Sequence, residues 1–375
     1  MPYHIGFIIE QVLGHVTHGQ NLQMNVALDP EVRASWALPT WKNSGLASKI
    51  PVYRSNWTLQ AGVQTRRALS QLNRRADLDI LFFHTQVTAI LAQDWMSRIP
   101  SIVSLDATPR QYDKLGKTYA HNTGPGWLEQ GKWRLNRNCF RRARHLVTWS
   151  EWAKQGLIDE YQVPAKKVTV IPPGVNIDIW KYPSEWKQKD QVVRILFVGG
   201  DLHRKGGQVL LEAFRSLRQD TDGDTIELHL VTRTSLPHEP GVFIYNNMQP
   251  NSTELRHLFF TSHIFCLPTF GDCLPMVLSE AGAAGLPLVS TPVGAISEIV
   301  IDGETGFIVP VGDSEKLKFF LRRLVFNPEL RFGLGDCAKR LVKRDYDAEN
   351  NANKLLALLK QTAEETGHHL VRHDE

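Results

Sequence analysis

The chain lacks most features that would mark a specialised polypeptide. Four cysteines in 375 residues are too few for a disulfide scaffold. Cys139, Cys266, Cys273 and Cys337 form no CxxC or Cys/His spacing of the kind that binds zinc. Long hydrophobic runs are missing too. The apolar stretch 5–9 ends at Glu10 with neither basic leader nor cleavage site, so no signal peptide is expected. The least polar long segment, 281–296, is broken by Gly282, Gly285, Pro287, Pro292 and Gly294, whereas a bilayer span needs ~20 apolar residues. Charge of one sign is not in large excess: 43 Lys+Arg against 39 Asp+Glu leave +4, which indicates no nucleic-acid partner. No repeat at solenoid periods, no GxGxxG and no P-loop occurs. The economical expectation is a protein of the reducing cytoplasm.

What is present is ordinary globular material, 42% apolar and 22% charged, in a length that suggests two domains. Short apolar runs at 5–9, 80–83, 102–105, 146–149 and 168–171 form one strand-like series, and 194–198, 227–231, 242–245, 264–267, 287–290 and 307–309 a second. Amphipathic stretches lie between them, at 59–75, 151–161, 208–217, 252–260 and 276–284. Near-continuous apolar strands alternating with helices predict α/β domains with parallel sheets covered on both faces. The seam is the polar, aperiodic segment 181–191. The expected domains are therefore 1–180 and 192–345, with helix from there to about 365 and a flexible tail, 366–375.

Three constellations could carry chemistry. In VGGDLHRKGG a strand runs through Gly199 and Gly200 into a glycine-rich loop and a helix, with Arg204 and Lys205 adding fixed positive charge. That combination suits a phosphate or diphosphate, although a plain strand–helix turn with solvated cations has the same outline. In PTFGDCLPMVLSEA, Asp272 lies on a loop after a strand, Pro275 stands at an expected helix start, and Glu280 follows inside the helix. Two acids near a strand's carboxyl end can accept hydrogen bonds from sugar hydroxyls; a structural role for Glu280 is the alternative. In the third, Ser150 reads as a helix cap and IPPGV as a sharp exit from a strand.

Taken in order, SEWAKQGLIDEY, VTVIPPGVNIDIW, FVGGDLHRKGGQVLLEAF, PTFGDCLPMVLSEAGAAGLPLVSTPVGAISEIV and DGETGFIVP resemble the retaining nucleotide-sugar glycosyltransferases of family 4, over about residues 145–345. The resemblance implies the GT-B architecture: two Rossmann-like, doubly wound domains facing across a cleft, and a C-terminal helix crossing back to the first. It implies an enzyme of carbohydrate biosynthesis that moves a sugar from a UDP- or GDP-sugar to a glycan, glycolipid or small-molecule acceptor. In that family a basic pair grips the donor diphosphate. Its lysine matches Lys205; the place of its arginine, after the strand glycine, is taken here by Gly200, so Arg204 is expected to serve. The two family glutamates match Asp272, one methylene shorter and facing the transferred sugar, and Glu280, on the ribose hydroxyls. The backbone of Cys273, Leu274, Pro275 and Met276 would complete that pocket, with Arg233 near the nucleotide.

In the first domain, residues 11–22 take the place of an acceptor-facing loop, which makes Gly14, His15 and His18 candidates to line the cleft. Asp106 stands where relatives often have a histidine near the reacting carbon, and His84 is a further candidate. No acidic motif for a divalent cation accompanies the basic grip, so the resemblance implies metal independence and no cofactor besides the donor. Leu355, Leu356 and Leu359 form an apolar stripe for docking the last helix. Arg134, Arg137, Arg141 and Arg144 recur at helical spacing. They suggest peripheral contact with an anionic membrane, against a solvated face or an acceptor-phosphate contact. Two other functions remain open: a nucleotide-sugar epimerase or hydrolase, and a non-catalytic sugar-binding or assembly partner.

Overall fold

The computed structural model describes residues 2–11, 14–40, 56–75, 77–116, 124–180, 192–220 and 225–367. The expected linker, 181–191, and the end of the tail lie outside them. The chain divides into two compact units, with main seams at Pro173/Gly174 and Asp347/Ala348; Leu115 and Gly116, expected in the first domain, also go with the second unit.

The first unit holds β1 (Tyr3–Ile9), β2 (Val32–Ala37), β3 (Ile80–His84), β4 (Ser101–Leu105), β5 (His145–Thr148) and β6 (Val168–Val170), all parallel, in the order β2-β1-β3-β4-β5-β6. Its longer helices are α1 (His15–Val26), α2 (Trp57–Arg75), α3 (Gly126–Arg142) and α4 (Glu151–Tyr161). Strand periodicity divides the core between two faces. Ile5, Phe7 and Ile9 point one way, together with Ile80, Phe82 and Ile102. Ile8, Leu81, Phe83 and Val103 point the other way, under Leu69 of α2, Phe140 of α3 and Tyr161 of α4.

The second unit holds β7 (Val193–Val198), β8 (Ile226–Val231), β9 (Val242–Tyr245), β10 (Ile264–Leu267), β11 (Leu288–Ser290) and β12 (Gly306–Ile308). They too are parallel, in the order β12-β11-β10-β7-β8-β9. Counted within the unit, that is the doubly wound order 3-2-1-4-5-6. Around it lie α5 (Gly207–Gln219), α6 (Thr253–Thr261), α7 (Met276–Ala283), α8 (Ser314–Phe326) and α9 (Pro328–Asp345). Leu210, Phe214 and Leu217 of α5 and Leu317, Leu321 and Leu324 of α8 are buried at helical spacing.

The last helix, α10 (Ala348–Glu365), belongs to the first unit, where Leu355, Leu356 and Leu359 join Leu22 and Val26 of α1 on the Ile5–Phe7–Ile9 face. Residues 174–180, which the sequence reading places in the first domain, go with the second unit. Trp180 packs edge-on to Phe259 at 5.1 Å, and Arg256 donates to the Ile179 carbonyl at 3.0 Å. Tyr346 also stays there, its carbonyl accepting from the Val175 amide at 2.9 Å. Two elements depart from the sequence expectation. The loop expected at 11–22 is helical from His15 onward, where α1 begins, and β2 had no apolar run to announce it.

Candidate active site

Open parallel sheets bind ligands beyond the carboxyl ends of their strands, where the strand order reverses. In the second unit that point lies between β7 and β10, and the two loops singled out in the sequence leave those strands. After β7 the chain makes a tight turn in which the Lys205 amide donates to the Asp201 carbonyl at 3.0 Å and the Gly207 amide to the Leu202 carbonyl at 2.7 Å. Gly206, at φ +77°, caps α5 in the left-handed region, and a Cβ there would run into the Pro268 carbonyl. The close approach of this turn to the β10 loop is what brings the two constellations together. The Phe270 amide donates to the Arg204 carbonyl at 2.9 Å, and Arg204 Nη1 donates to the Gly271 carbonyl at 2.8 Å. Gly206→Ala should therefore cost on the order of 2–5 kcal/mol, from left-handed strain plus overpacking. Differential scanning calorimetry checks this, and a melting point equal to wild type would refute the packing just described.

Asp272 lies between the two cations. Its Oδ2 is ion-paired with Lys205 Nζ, and its Oδ1 is 4.0 Å from Arg204 Nη1; all three side chains are largely buried. Arg204 is also held by Asp201, whose Oδ1 accepts from its backbone amide at 3.0 Å. The Asp272–Cys273 backbone is buttressed from below. The Ala295 amide donates to the Cys273 carbonyl at 2.8 Å, and Gly294 fits beneath without room for a Cβ. Pro275 is the N-cap residue, so α7 begins at Met276, with no acidic residue in its first turn. Cys273, Leu274 and Met276 are buried around this helix start. Glu280, fifth in the helix, is only 3% exposed, and burial pushes its carboxyl up to about 7.

Gly200 and Arg233 come together as well. The Arg233 amide donates to the Gly200 carbonyl at 3.2 Å, and the Arg233 side chain lies over Gly200, so that a Cβ there would be 3.6 Å from Nε. The space beside the β7 loop that a residue-200 side chain would enter is thus bordered by the arginine that follows β8. Gly199 is packed under the Lys205 stem, which fixes the lysine's direction.

In the first unit the order reverses between β1 and β3, and this point too is furnished. Gly14 caps α1, placing His15 and His18 in its first turn. His15 Nδ1 bonds Glu10 Oε1 at 2.6 Å, at the end of β1, and Nε2 reaches Asp106 Oδ2 at 3.5 Å, after β4. Glu10 is itself held by Trp57 Nε1 at 2.9 Å and the Thr85 hydroxyl at 3.2 Å. Burial alone would lower the His15 pKa; the Glu10 charge and the hydrogen bonds to Asp106 and Glu10 raise it instead, to about 10. His18 and His84 stay neutral. Burial, then the charge of His15, brings His18 down to about 3, and the same causes hold His84 well below its ordinary value. All three rings surround Trp149, with His84 stacked on it at 5.1 Å. Sequence reasoning missed Glu10 and Trp149. Among the described residues no group of His, Cys, Asp and Glu is arranged to hold a metal ion, and no helix is long and apolar enough to cross a membrane.

Residues 28–179 match the family model described as Glycosyltransferase Family 4, and residues 192–327 the model Glycosyl transferases group 1. The MMP alpha-(1->4)-mannosyltransferase of Mycolicibacterium hassiacum is 25% identical over 237 residues, 60% of this chain and 56% of the relative. The phosphatidyl-myo-inositol mannosyltransferase of Mycobacterium leprae is 29% identical over 202 residues, 52% of this chain and 53% of the relative. The chain spans about half the length of the curated relatives it matches. Among solved structures, sucrose-phosphate synthase from Thermosynechococcus elongatus superposes with a TM-score of 0.75 at 14% identity, over 96% of this chain and 98% of that one. Anabaena HepE in complex with UDP-glucose gives 0.70 at 15% identity, over 96% and 99%.

Proposed function

For a chain that belongs to the family 4 and group 1 glycosyltransferases of the GT-B fold, we propose that it moves a sugar from a nucleoside-diphosphate sugar to an acceptor hydroxyl, with retention and without a metal ion. The observation that carries this reading is the pairing of Arg204 and Lys205 around Asp272 at the β7/β10 switch point, beside the amino end of α7. When the bond from the anomeric carbon to the diphosphate breaks, negative charge grows on the leaving oxygen. Lys205, Arg204 and the helix amides are donors fixed in place to meet it. Asp272 holds Lys205 in that direction and offers its carboxylate to the transferred sugar. Glu280 accepts from ribose hydroxyls, and Arg233 adds positive charge beside Gly200. In same-face substitution the departing phosphate takes the acceptor proton, so no strong enzymic base is needed. In the first unit, Asp106, the more open end of the Glu10–His15–Asp106 row, accepts from the acceptor hydroxyl.

A panel of UDP- and GDP-sugars scored by thermal shift tests the reading. A ligand at 100 times its dissociation constant adds ~2.7 kcal/mol. The product's anomeric configuration, read by NMR, tests retention, and full activity in EDTA tests metal independence. No stabilisation by any nucleotide sugar would refute the donor site.

Glu280 gives a separate prediction. With its carboxyl near 7, the ionised acceptor form is lost as pH falls through that value. The donor KM should rise below about pH 7 in wild type. It should be raised and pH-independent in Glu280→Gln, with kcat little changed. Matching KM–pH profiles in the two proteins would remove Glu280 from the ribose.

A further inference from the structure

Both switch points lie at the carboxyl ends of the strands. The opposite edge of the first sheet carries a different feature, a pocket of about 510 Å³ where β4, β5 and β6 begin. Its walls hold Arg141 and Arg142 from the end of α3, Arg144 and His145 from the start of β5, and Lys166 and Lys167 just before β6, with no acidic residue among them.

These cations differ in how they are used. Lys167 Nζ donates to the Arg141 carbonyl at 2.8 Å, and Arg142 donates to the Ser97 hydroxyl and, at 3.3 Å, to the Gln93 carbonyl. A helix carboxyl end favours basic residues, which accounts for part of the cluster. It does not account for Arg144 and Lys166, which lie outside α3. Arg141, Arg144 and Lys166 are exposed and make no ion pair or side-chain hydrogen bond among the described residues. The positive potential is not relieved locally. Burial first, then Arg141 and Arg144, push the Lys167 ammonium down to about 8. Glu365, at the end of α10, favours protonation of His145. The sequence expectation of one basic face is corrected at the same time. Arg144 lies beyond the end of α3 and so does not share the helix face expected of it, and Arg137 is half-buried, donating to the Gln162 side chain at 2.7 Å and lying over the Trp133 ring.

We propose that this pocket is an anion site for a phosphate group, at the edge of the first sheet opposite to that sheet's own switch point. Converging arginines suit phosphate oxygens because the guanidinium fork donates in pairs, and the lysines add point charge. Phosphate of this kind reaches a protein either as a soluble phosphate or as the headgroup of an anionic lipid. A site at the opposite edge of the first sheet from that sheet's own switch point would tether or regulate the enzyme.

Two arms test the site and separate the sources. In the first, inorganic pyrophosphate is titrated calorimetrically into the full chain at low ionic strength with UDP and GDP in excess, so that the donor site is already filled. In the second, the chain is sedimented with phosphatidylglycerol vesicles and with phosphatidylcholine vesicles. Both arms are repeated with Arg141→Glu/Lys166→Glu, which touches no residue of the transfer machinery, so its sugar-transfer rate and melting point should match wild type. Pyrophosphate binding weakened at least about tenfold by the double substitution would assign a soluble phosphate. Sedimentation with phosphatidylglycerol alone, lost in the variant, would assign a lipid phosphate. Failure to bind either probe, or equal binding by wild type and variant, would overturn the proposal.

Discussion

Lys205→Ala should lower kcat for sugar transfer by about 10²–10³ and change the donor KM by only a few-fold, the pattern of one removed oxyanion donor. The asymmetry follows from where Lys205 points. Its stem is packed over Gly199 and its ammonium meets Asp272, so it is already in place before charge develops on the leaving diphosphate. Arg204 cannot replace it, because one guanidinium nitrogen is committed to the Gly271 carbonyl. The fold should survive, since the Asp272 carboxylate left behind still has Arg204 at 4.0 Å. Asp272→Asn supplies the complementary measurement. If Asp272 directs the lysine, that variant also loses kcat while keeping the lysine. Steady-state kinetics on both proteins decide the matter, and wild-type kcat and KM for Lys205→Ala would refute the assignment of the donor diphosphate.

The donor loops were legible as whole blocks, whereas the histidines and Asp106 could be named only singly and their meeting with Glu10 and Trp149 could not; the difference comes down to sequence separation. Lys205, Asp272 and Glu280 sit in two contiguous blocks, each running from an apolar strand through a glycine- or proline-marked loop into a helix. The strands themselves, 242–245 and 264–267, match the observed bounds because they are short apolar runs with clear breaks. The cluster is assembled otherwise. His15 meets Asp106 across 91 residues, and His84 and Trp149 arrive from the ends of two other strands. No local period encodes such a meeting; it follows from the sheet order. α1 escaped notice because HVTHGQNLQMNV is mostly polar and carries Gly19; only a few of its residues, Leu22 and Val26 among them, form the apolar contact beneath. β2, an edge strand with Arg33 exposed, shows no apolar run for the same reason. The basic pocket joins a helix end to a segment some 25 residues later, so the sequence displayed only the helical half of it.

The histidine cluster should give the first unit a narrow pH range of stability, and its two arms belong to different residues. His15 has a folded pKa of about 10 against an ordinary value of 6.5. The folded protein therefore holds that proton more tightly than the unfolded chain. The resulting stability is fully present below about pH 6.5 and is lost as pH rises through about 10. His18 and His84 act in the opposite sense. Folded His18 titrates at about 3 and His84 is lowered as well, so below pH 6.5 the unfolded chain takes up protons that the folded protein refuses. Each such proton costs about 1.4 kcal/mol per pH unit, so the two together should remove roughly 2–3 kcal/mol per unit on the acid side. Both ring nitrogens of His84 are buried without a hydrogen-bond partner among the described residues, and the ring stacks on Trp149, so His84→Phe keeps the stacking and removes one titrating site. Melting temperature followed by calorimetry from pH 4 to pH 10 should show His84→Phe less sensitive to acid than wild type. His15→Gln should be less stable than wild type at neutral pH by a few kcal/mol, the two curves converging toward pH 10 as wild type loses its proton. Parallel curves for wild type and His15→Gln across the alkaline range would mean that His15 carries no buried charge, and the Glu10–His15–Asp106 row would have to be read as a neutral hydrogen-bond chain.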